Sequence, residues 1–316
     1  MRVVSLLPSA TELCYALGVE PVGVSHECDY PPATRDLPTV IDSRIDDTAS
    51  SGDIDEQVQT AVDEGGVYEL DRERLAELDP DVVVSQGICD VCAVDDTLVR
   101  EAVADLRLDC EVVATDPHSL DDLLADVERL GGALGRPDRA DTLRGELAAR
   151  VDAVATATPD SGPGVAVLDW LDPVMVAGHW VPEMVELAGG TYGLAESGAR
   201  SRPREWGTIR EADPDVLVAA PCGFEPEQTV ANAADLTGRD GWEELTAVQE
   251  GNVYIVDGHH YVNRPGPRLV DTLELFADLL HPGTGETPDG AVRQWPDLPA
   301  DTPGRISGYP AFDTTR

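Results

Sequence analysis

Short, mostly apolar runs recur along the chain, each bounded by polar or turn-forming residues. The first four are Val3 to Leu6, Val22 to Ser25, Val82 to Ser85 and Glu111 to Ala114, and four more follow at Val165 to Asp169, Val174 to Ala177, Val216 to Ala219 and Val253 to Val256. Runs this short and this rich in valine read as strands, and the segments between them carry the longer period of helices. Ser9-Ala10-Thr11-Glu12 has the form of a capping box, which predicts a helix opened by Ser9 and ending near Gly18. Further helices are expected near Asp95 to Leu106, Pro182 to Ala188 and Arg268 to Leu280. Alternation of this kind predicts an α/β fold whose parallel sheets are covered by helices on both faces.

One unit is used twice. Glu77-Leu78-Asp79-Pro80-Asp81-Val82-Val83-Val84 returns as Glu211-Ala212-Asp213-Pro214-Asp215-Val216-Leu217-Val218, with differences only at Leu78/Ala212 and Val83/Leu217. In each copy a short helix is expected to end before Asp-Pro, and a buried parallel strand to begin just after it. Between the copies, Ala140, Leu143, Leu147, Val151 and Val154 fall at helical spacing within a charged stretch, which predicts one long connecting helix. The expected organisation is an N-terminal α/β lobe over 1–136, a connecting helix over 137–158, a C-terminal α/β lobe over 159–280 and an irregular tail over 281–316, rich in Pro, Gly, Asp and Thr.

Charge narrows the range of partners. The 316 residues carry 22 basic and 61 acidic side chains, a formal net charge of −39, and every basic residue is arginine. Such a field repels nucleic-acid phosphates and anionic lipid, so neither is an expected partner. It suits a halophilic acidic protein, because at molar salt the Debye length falls to roughly 3 Å and carboxylate repulsion is screened. No apolar segment is long enough to insert in a membrane. The start of the chain reads as a first strand rather than a signal peptide, since Pro8 and Glu12 interrupt the apolar run, and this predicts a cytoplasmic protein.

Three segments carry a resemblance: Ser5-Leu6-Leu7-Pro8-Ser9-Ala10-Thr11-Glu12, Gly23-Val24-Ser25-His26-Glu27-Cys28-Asp29-Tyr30-Pro31, and Asn263-Arg264-Pro265-Gly266-Pro267-Arg268-Leu269-Val270. With the twin Asp-Pro-Asp strands, they make the chain similar over roughly 1–280 to the cobalamin-binding branch of the helical-backbone (class III) solute-binding proteins that serve ABC importers. The resemblance implies two Rossmann-like lobes joined by one long α-helix, with the ligand in the cleft between them against loops leaving the strand ends. That location also follows from the rule that open parallel sheets bind ligands beyond the C-terminal ends of their strands. By this correspondence, Pro8, Ser9, Thr11, Tyr30, Trp170, Trp180, Trp206, Phe224, Arg264 and Arg268 are the candidate ligand contacts. The aromatic rings would offer flat faces to a corrin or porphyrin, and the arginines would meet its anionic or amide edges. The alternative for the tryptophans is a role as core anchors.

Two features depart from the family. Exported relatives dock on a permease through an acidic residue on each lobe. Glu73, seven before Pro80, fits the first of these, but Gly207 holds the equivalent place before Pro214, with Glu205 the nearest substitute. A permease partner is therefore not the favoured expectation. The second departure is chemical. Cys28, Cys89, Cys92 and Cys222 all fall in strand-end loops, as do His26, His259 and His260, and Cys89-Asp90-Val91-Cys92 has the spacing that lets two thiolates share an ion. Zinc or an iron–sulfur cluster held by these residues is the competing expectation, while Cys14 and Cys110 read as small buried hydrophobes. A thioredoxin-like reading of the Cys-x-x-Cys pair conflicts with the chain's length and duplication.

No phosphate-binding glycine loop, dinucleotide fingerprint, His-Glu-x-x-His or Gly-x-Ser-x-Gly motif occurs, so nothing in the sequence supports catalysis. The leading expectation is non-catalytic binding of cobalamin, another corrinoid or a related metal chelate. The alternatives are a cysteine-ligated metal or redox protein and the binding component of an ABC importer.

Overall fold

The computed structural model describes residues 1–295, apart from 65, 89–93, 95 and 160. It divides into two compact units, one formed by Met1–Asp152 with Arg264–Val270 and the other by Ala153–Asn263 with the remainder from Asp271.

The first unit is built on β1 (Val3–Ser5), β2 (Gly23–Ser25), β3 (Thr39–Ser43), β4 (Tyr68–Leu70), β5 (Val82–Gln86) and β6 (Glu111–Thr115), in the spatial order β4-β3-β2-β1-β5-β6. All neighbours are parallel except β3 and β4. Every residue of β5 is buried, as expected of a strand covered on both faces. The period-2 alternation of strands sorts its valines. Val3, Val82 and Val84 pack with Leu13, Leu130, Leu143 and Leu147 on one face, while Val4, Val83, Leu75 and Val99 form the cluster on the other. On the first face the Leu120–Ala133 and Pro137–Ala157 helices approach so closely that a Cβ on Gly131 would lie 2.2 Å from the Cβ of Ala140.

The second unit contains β7 (Val165–Trp170), β8 (Met175–Val176), β9 (Arg202–Pro203), β10 (Val216–Ala219), β11 (Val253–Val256) and β12 (Val292–Gln294), in the order β12-β11-β10-β7-β8-β9. Strands β7, β10 and β11 run parallel, and β8, β9 and β12 pair antiparallel with their neighbours. The parallel sheets expected from sequence are thus the centres of two mixed sheets.

The repeat is visible at atomic detail. The Arg72–Leu78 and Trp206–Ala212 helices both end on a left-handed aspartate, Asp79 at φ 42 and Asp213 at φ 40. The third acid of each copy then accepts from the residue before the first strand of its sheet, Arg2 N–H to Asp81 Oδ2 at 2.6 Å and Gly164 N–H to Asp215 Oδ2 at 2.7 Å. The duplicated Asp-Pro-Asp therefore turns the chain and pins the central strand pair.

Three expectations are corrected. The first helix runs Pro8–Ala16 with Leu7 as N-cap and no side-chain cap, because Pro8 takes the first helical position that its fixed φ suits, and Ser9 is already inside the helix. The connecting helix spans Pro137–Ala157, but the division between units falls within it, and Arg264–Val270 belongs with the first unit. Finally, the stretch expected to be an irregular tail supplies β12, whose Arg293 pairs with Ile255.

Candidate functional site

In the first unit the C-terminal ends of β1 and β2 lead into the Pro8–Ala16 helix and the His26–Tyr30 loop. Thr11 Oγ1 donates to Ser5 Oγ at 2.8 Å and lies 3.1 Å from Cys28 Sγ. Ser9, Thr11 and Cys28 are buried, and Pro8 is half-buried. Burial pushes the Cys28 thiol up to about 12, so its environment favours a protonated, hydroxyl-bonded thiol over a thiolate ligand. Cys28 was expected as one of a set of metal-binding thiolates; here its Sγ stands against the Thr11 hydroxyl.

Around this loop lies an ionic network that no local sequence pattern announces. Glu12 is buried and accepts from Arg268 Nε at 3.1 Å and from Arg264 Nη1 at 3.3 Å, and Arg264 Nη1 also reaches Asp29 Oδ1 at 2.6 Å. Arg268 additionally donates through Nη2 to Glu12 Oε1, and its guanidinium stands 4.4 Å over the ring of exposed Tyr30. The structure thus commits the charges of both arginines to internal carboxylates, whereas they were expected to face a ligand. Glu12, expected to be a capping residue, is their hub. His26 places Nδ1 3.0 Å from Ile41 O and Nε2 3.9 Å from Glu27.

The second unit has its own rim, where the loops after β7, β10 and β11 interlock. Cys222 N–H donates to Asp169 O at 3.0 Å, and Gly258 and His259 N–H both reach Phe224 O at 3.1 Å. Asn263 Nδ2 donates to Ala220 O at 2.9 Å. Gly258 is required here, because a Cβ would meet Pro221 O at 2.1 Å and Ala220 O at 2.8 Å. Half-buried Trp170 packs against buried Phe224 at 5.1 Å and donates its indole N–H to Asp172 O. After β11, the chain forms one π-helical turn, Gly258–Val262, carrying His259 and His260.

Trp180 is buried and donates to Val262 O at 2.9 Å, which makes it an anchor beneath this turn rather than the ring face expected for a ligand. Trp206 stacks on buried Trp242 at 6.2 Å and lines a separate pocket of about 490 Å³ with Asp172, Val174, Arg204 and Arg239. Cys222 is exposed on the rim, while Cys89 and Cys92 lie outside the described residues.

Two further acids stand at these strand ends and were not among the candidates expected from sequence. Asp257 caps the π turn, and Asp169 stands next to last in β7 with Oδ1 buried and without a hydrogen-bond partner among the described residues. Burial pushes the Asp169 carboxyl up to about 6, with a hydrogen bond from Ser201 acting in the opposite direction. The signal available was a lone acid near the end of an otherwise apolar strand.

These paired sheets, with their polar and aromatic strand-end loops, define the architecture of an α/β solute-binding protein. The family description "Periplasmic binding protein" matches residues 3–259, and the chain belongs to that family. Among curated relatives, a cobalamin-binding protein of Halobacterium salinarum is 28% identical over 288 residues, covering 89% of this chain and 69% of the relative. Among solved structures, the periplasmic vitamin B12-binding protein of Vibrio cholerae superposes with a TM-score of 0.64 at 22% identity, covering 88% of this chain and 95% of that one. A periplasmic heme-binding protein of Pseudomonas aeruginosa gives 0.68 at 21% identity, covering 93% and 97%. At those identities the two structures bear on fold alone.

Proposed function

We propose that the chain is a non-catalytic binding protein for cobalamin or a related corrinoid, with the strand-end loops as its contact surface. The observation that carries the reading is the second unit's rim, where the Trp170–Phe224 pair stands among locked loops at the C-terminal ends of parallel strands. An aromatic pair on a rigid rim suits a large planar ligand, because ring faces are buried without first ordering a mobile loop. The cobalamin-binding relative from Halobacterium salinarum supports a corrinoid as the class of ligand. Buried Arg264 and half-buried Arg268 act indirectly here, holding Glu12, Asp29 and Tyr30 in place while backbone and hydroxyl groups meet amide edges.

Titration with cyanocobalamin, followed by calorimetry in molar KCl, tests this directly. Saturable binding is expected, weakened about 10-fold in Trp170→Ala through loss of one ring contact. Absence of any heat or spectral change with cyanocobalamin would remove the proposal, and unchanged affinity in the variant would remove Trp170 from the surface.

A further inference from the structure

The edge of the second unit's sheet carries a concentration of positive charge that the rest of this acidic chain does not share. Arg200, Arg202 and Arg204 are all exposed, Arg202 within the edge strand β9 and the other two just outside it. In a chain with 61 acidic and 22 basic side chains, none of the three is in an ion pair among the described residues; Arg204 Nη2 reaches the carbonyl of Leu194 at 3.3 Å. The segment is firmly laid down: Arg202 and Pro203 pair with Val176 and Met175, Arg204 N–H donates to Val174 O at 2.8 Å, and a Cβ on Gly178 would meet Ala199 O at 2.2 Å. Side chains two apart along a strand share a side at a spacing of roughly 6.6 Å, within reach of one anionic group. Beside Arg204 opens the pocket of about 490 Å³, a size typical of small-molecule sites. Its Arg239 is matched by Asp172 at 3.2 Å, and Glu205 is its one further acid. Pro173, Val174 and Pro203 give it an apolar wall, and Trp206 lines it with the Arg239 guanidinium 5.7 Å over the ring. One turn joins the pocket to the proposed ring surface, because the Trp170 indole N–H donates to Asp172 O at 3.1 Å and Arg239 Nη2 to Leu171 O at 2.8 Å.

We infer that this pocket receives the nucleotide arm of a complete corrinoid, with the phosphodiester on Arg202 and Arg204 and the base along the wall of Pro173, Val174 and Pro203. This rests on the corrinoid reading above and deepens it, because a ring surface alone does not distinguish a complete corrinoid from cobinamide, which ends short of the phosphate. The arm carries the corrinoid's one phosphate, and a guanidinium matches two phosphate oxygens at once. Contacts of that kind persist at molar salt, where a Debye length of roughly 3 Å removes long-range attraction but not a hydrogen-bonded pair. At lower salt the net negative field of the chain repels an anion over most of the surface, and the unpaired arginines give it one place to settle.

Calorimetric titration of the full chain in molar KCl, once with cyanocobalamin and once with dicyanocobinamide, tests the inference. Cyanocobalamin should bind about 10-fold or more tightly than dicyanocobinamide. In the double variant Arg202→Gln/Arg204→Gln that advantage should fall to about 2-fold or less, through weaker cyanocobalamin binding alone. Both positions are exposed, and unchanged dicyanocobinamide affinity reports that the variant keeps its fold. Equal affinities for the two ligands in the wild-type chain, an advantage that survives in the double variant, or a loss shared equally by both ligands overturns this inference and leaves the proposed function standing. Failure of both ligands to bind the wild-type chain overturns the proposed function, and this inference with it. The comparison on the wild-type chain needs no variant, so misfolding of a substituted chain does not blur the outcome.

Discussion

Replacing Asp169 by asparagine should stabilise the protein at neutral pH and do less so as pH falls. The carboxyl stands near the end of the central strand β7 with Oδ1 buried and unpartnered among the described residues, and burial pushes its pKa from 3.8 up to about 6. Because the folded value is raised, the proton is held more tightly in the fold than in the unfolded chain. Below pH 3.8 both states are protonated and no penalty exists. Between 3.8 and 6 the unfolded state ionises first and stability falls, and above 6 the loss is complete. A shift of about two units corresponds to about 3 kcal/mol, roughly half of it in place by pH 5. That figure is a ceiling, since the residue keeps part of its surface exposed and the new amide brings polar hydrogens of its own, costing about 1–2 kcal/mol. The expected net gain is therefore about 1–2 kcal/mol at pH 8, shrinking towards zero at pH 5. Urea unfolding at pH 5, 6.5 and 8 in constant salt measures it, staying above the isoelectric point of about 4.1. An asparagine variant less stable than the parent at pH 8, or one whose gain does not change with pH, refutes the argument.

Two other substitutions test the rims. Glu12→Gln removes the carboxylate that Arg264 and Arg268 share, while the Arg264–Asp29 pair stays in place, and should cost about 3 kcal/mol of stability in denaturant unfolding; a loss under about 1 kcal/mol would show the network to be dispensable. Gly258→Ala drives a Cβ into Pro221 O and Ala220 O, which are backbone atoms and cannot rotate away. It should lower stability by about 1–3 kcal/mol and weaken cyanocobalamin binding at the same time, whereas an unchanged melting temperature would mean that the π turn is not locked to its neighbour.

The parts of the fold legible in the sequence were those whose physics is local. Val82–Gln86 and Val216–Ala219 are buried on both faces, so an unbroken apolar run identified them, and the Asp-Pro corners announced their starts. Of the edge strands, β6 was legible but β4, β9 and β12 were not. Arg202–Pro203 is two exposed residues and Val292–Gln294 alternates around an arginine, because an edge strand needs only one partner and little burial. The edge strand Tyr68–Leu70 was missed for the same reason, whereas Thr39–Ser43 lies between β2 and β4 and was missed because only Val40 and Ile41 of its five residues are buried.

The site was harder to read because its determinants are contacts between distant residues, and Glu12 shows why. Read within its own helix, a glutamate three residues after a serine is a capping partner, an interaction worth on the order of 1 kcal/mol. Two guanidinium groups some 250 positions away offer a buried carboxylate charge-assisted bonds that a helix terminus cannot match, so the local rule loses. In a chain with 61 acidic and 22 basic side chains, any single carboxylate is uninformative, whereas an arginine is a scarce partner. Arg264 and Arg268 lead to Glu12, Asp29 and Tyr30, which fixes one rim by charge. The His259–His260 turn contains no arginine and is fixed instead by Asp257 and by backbone hydrogen bonds.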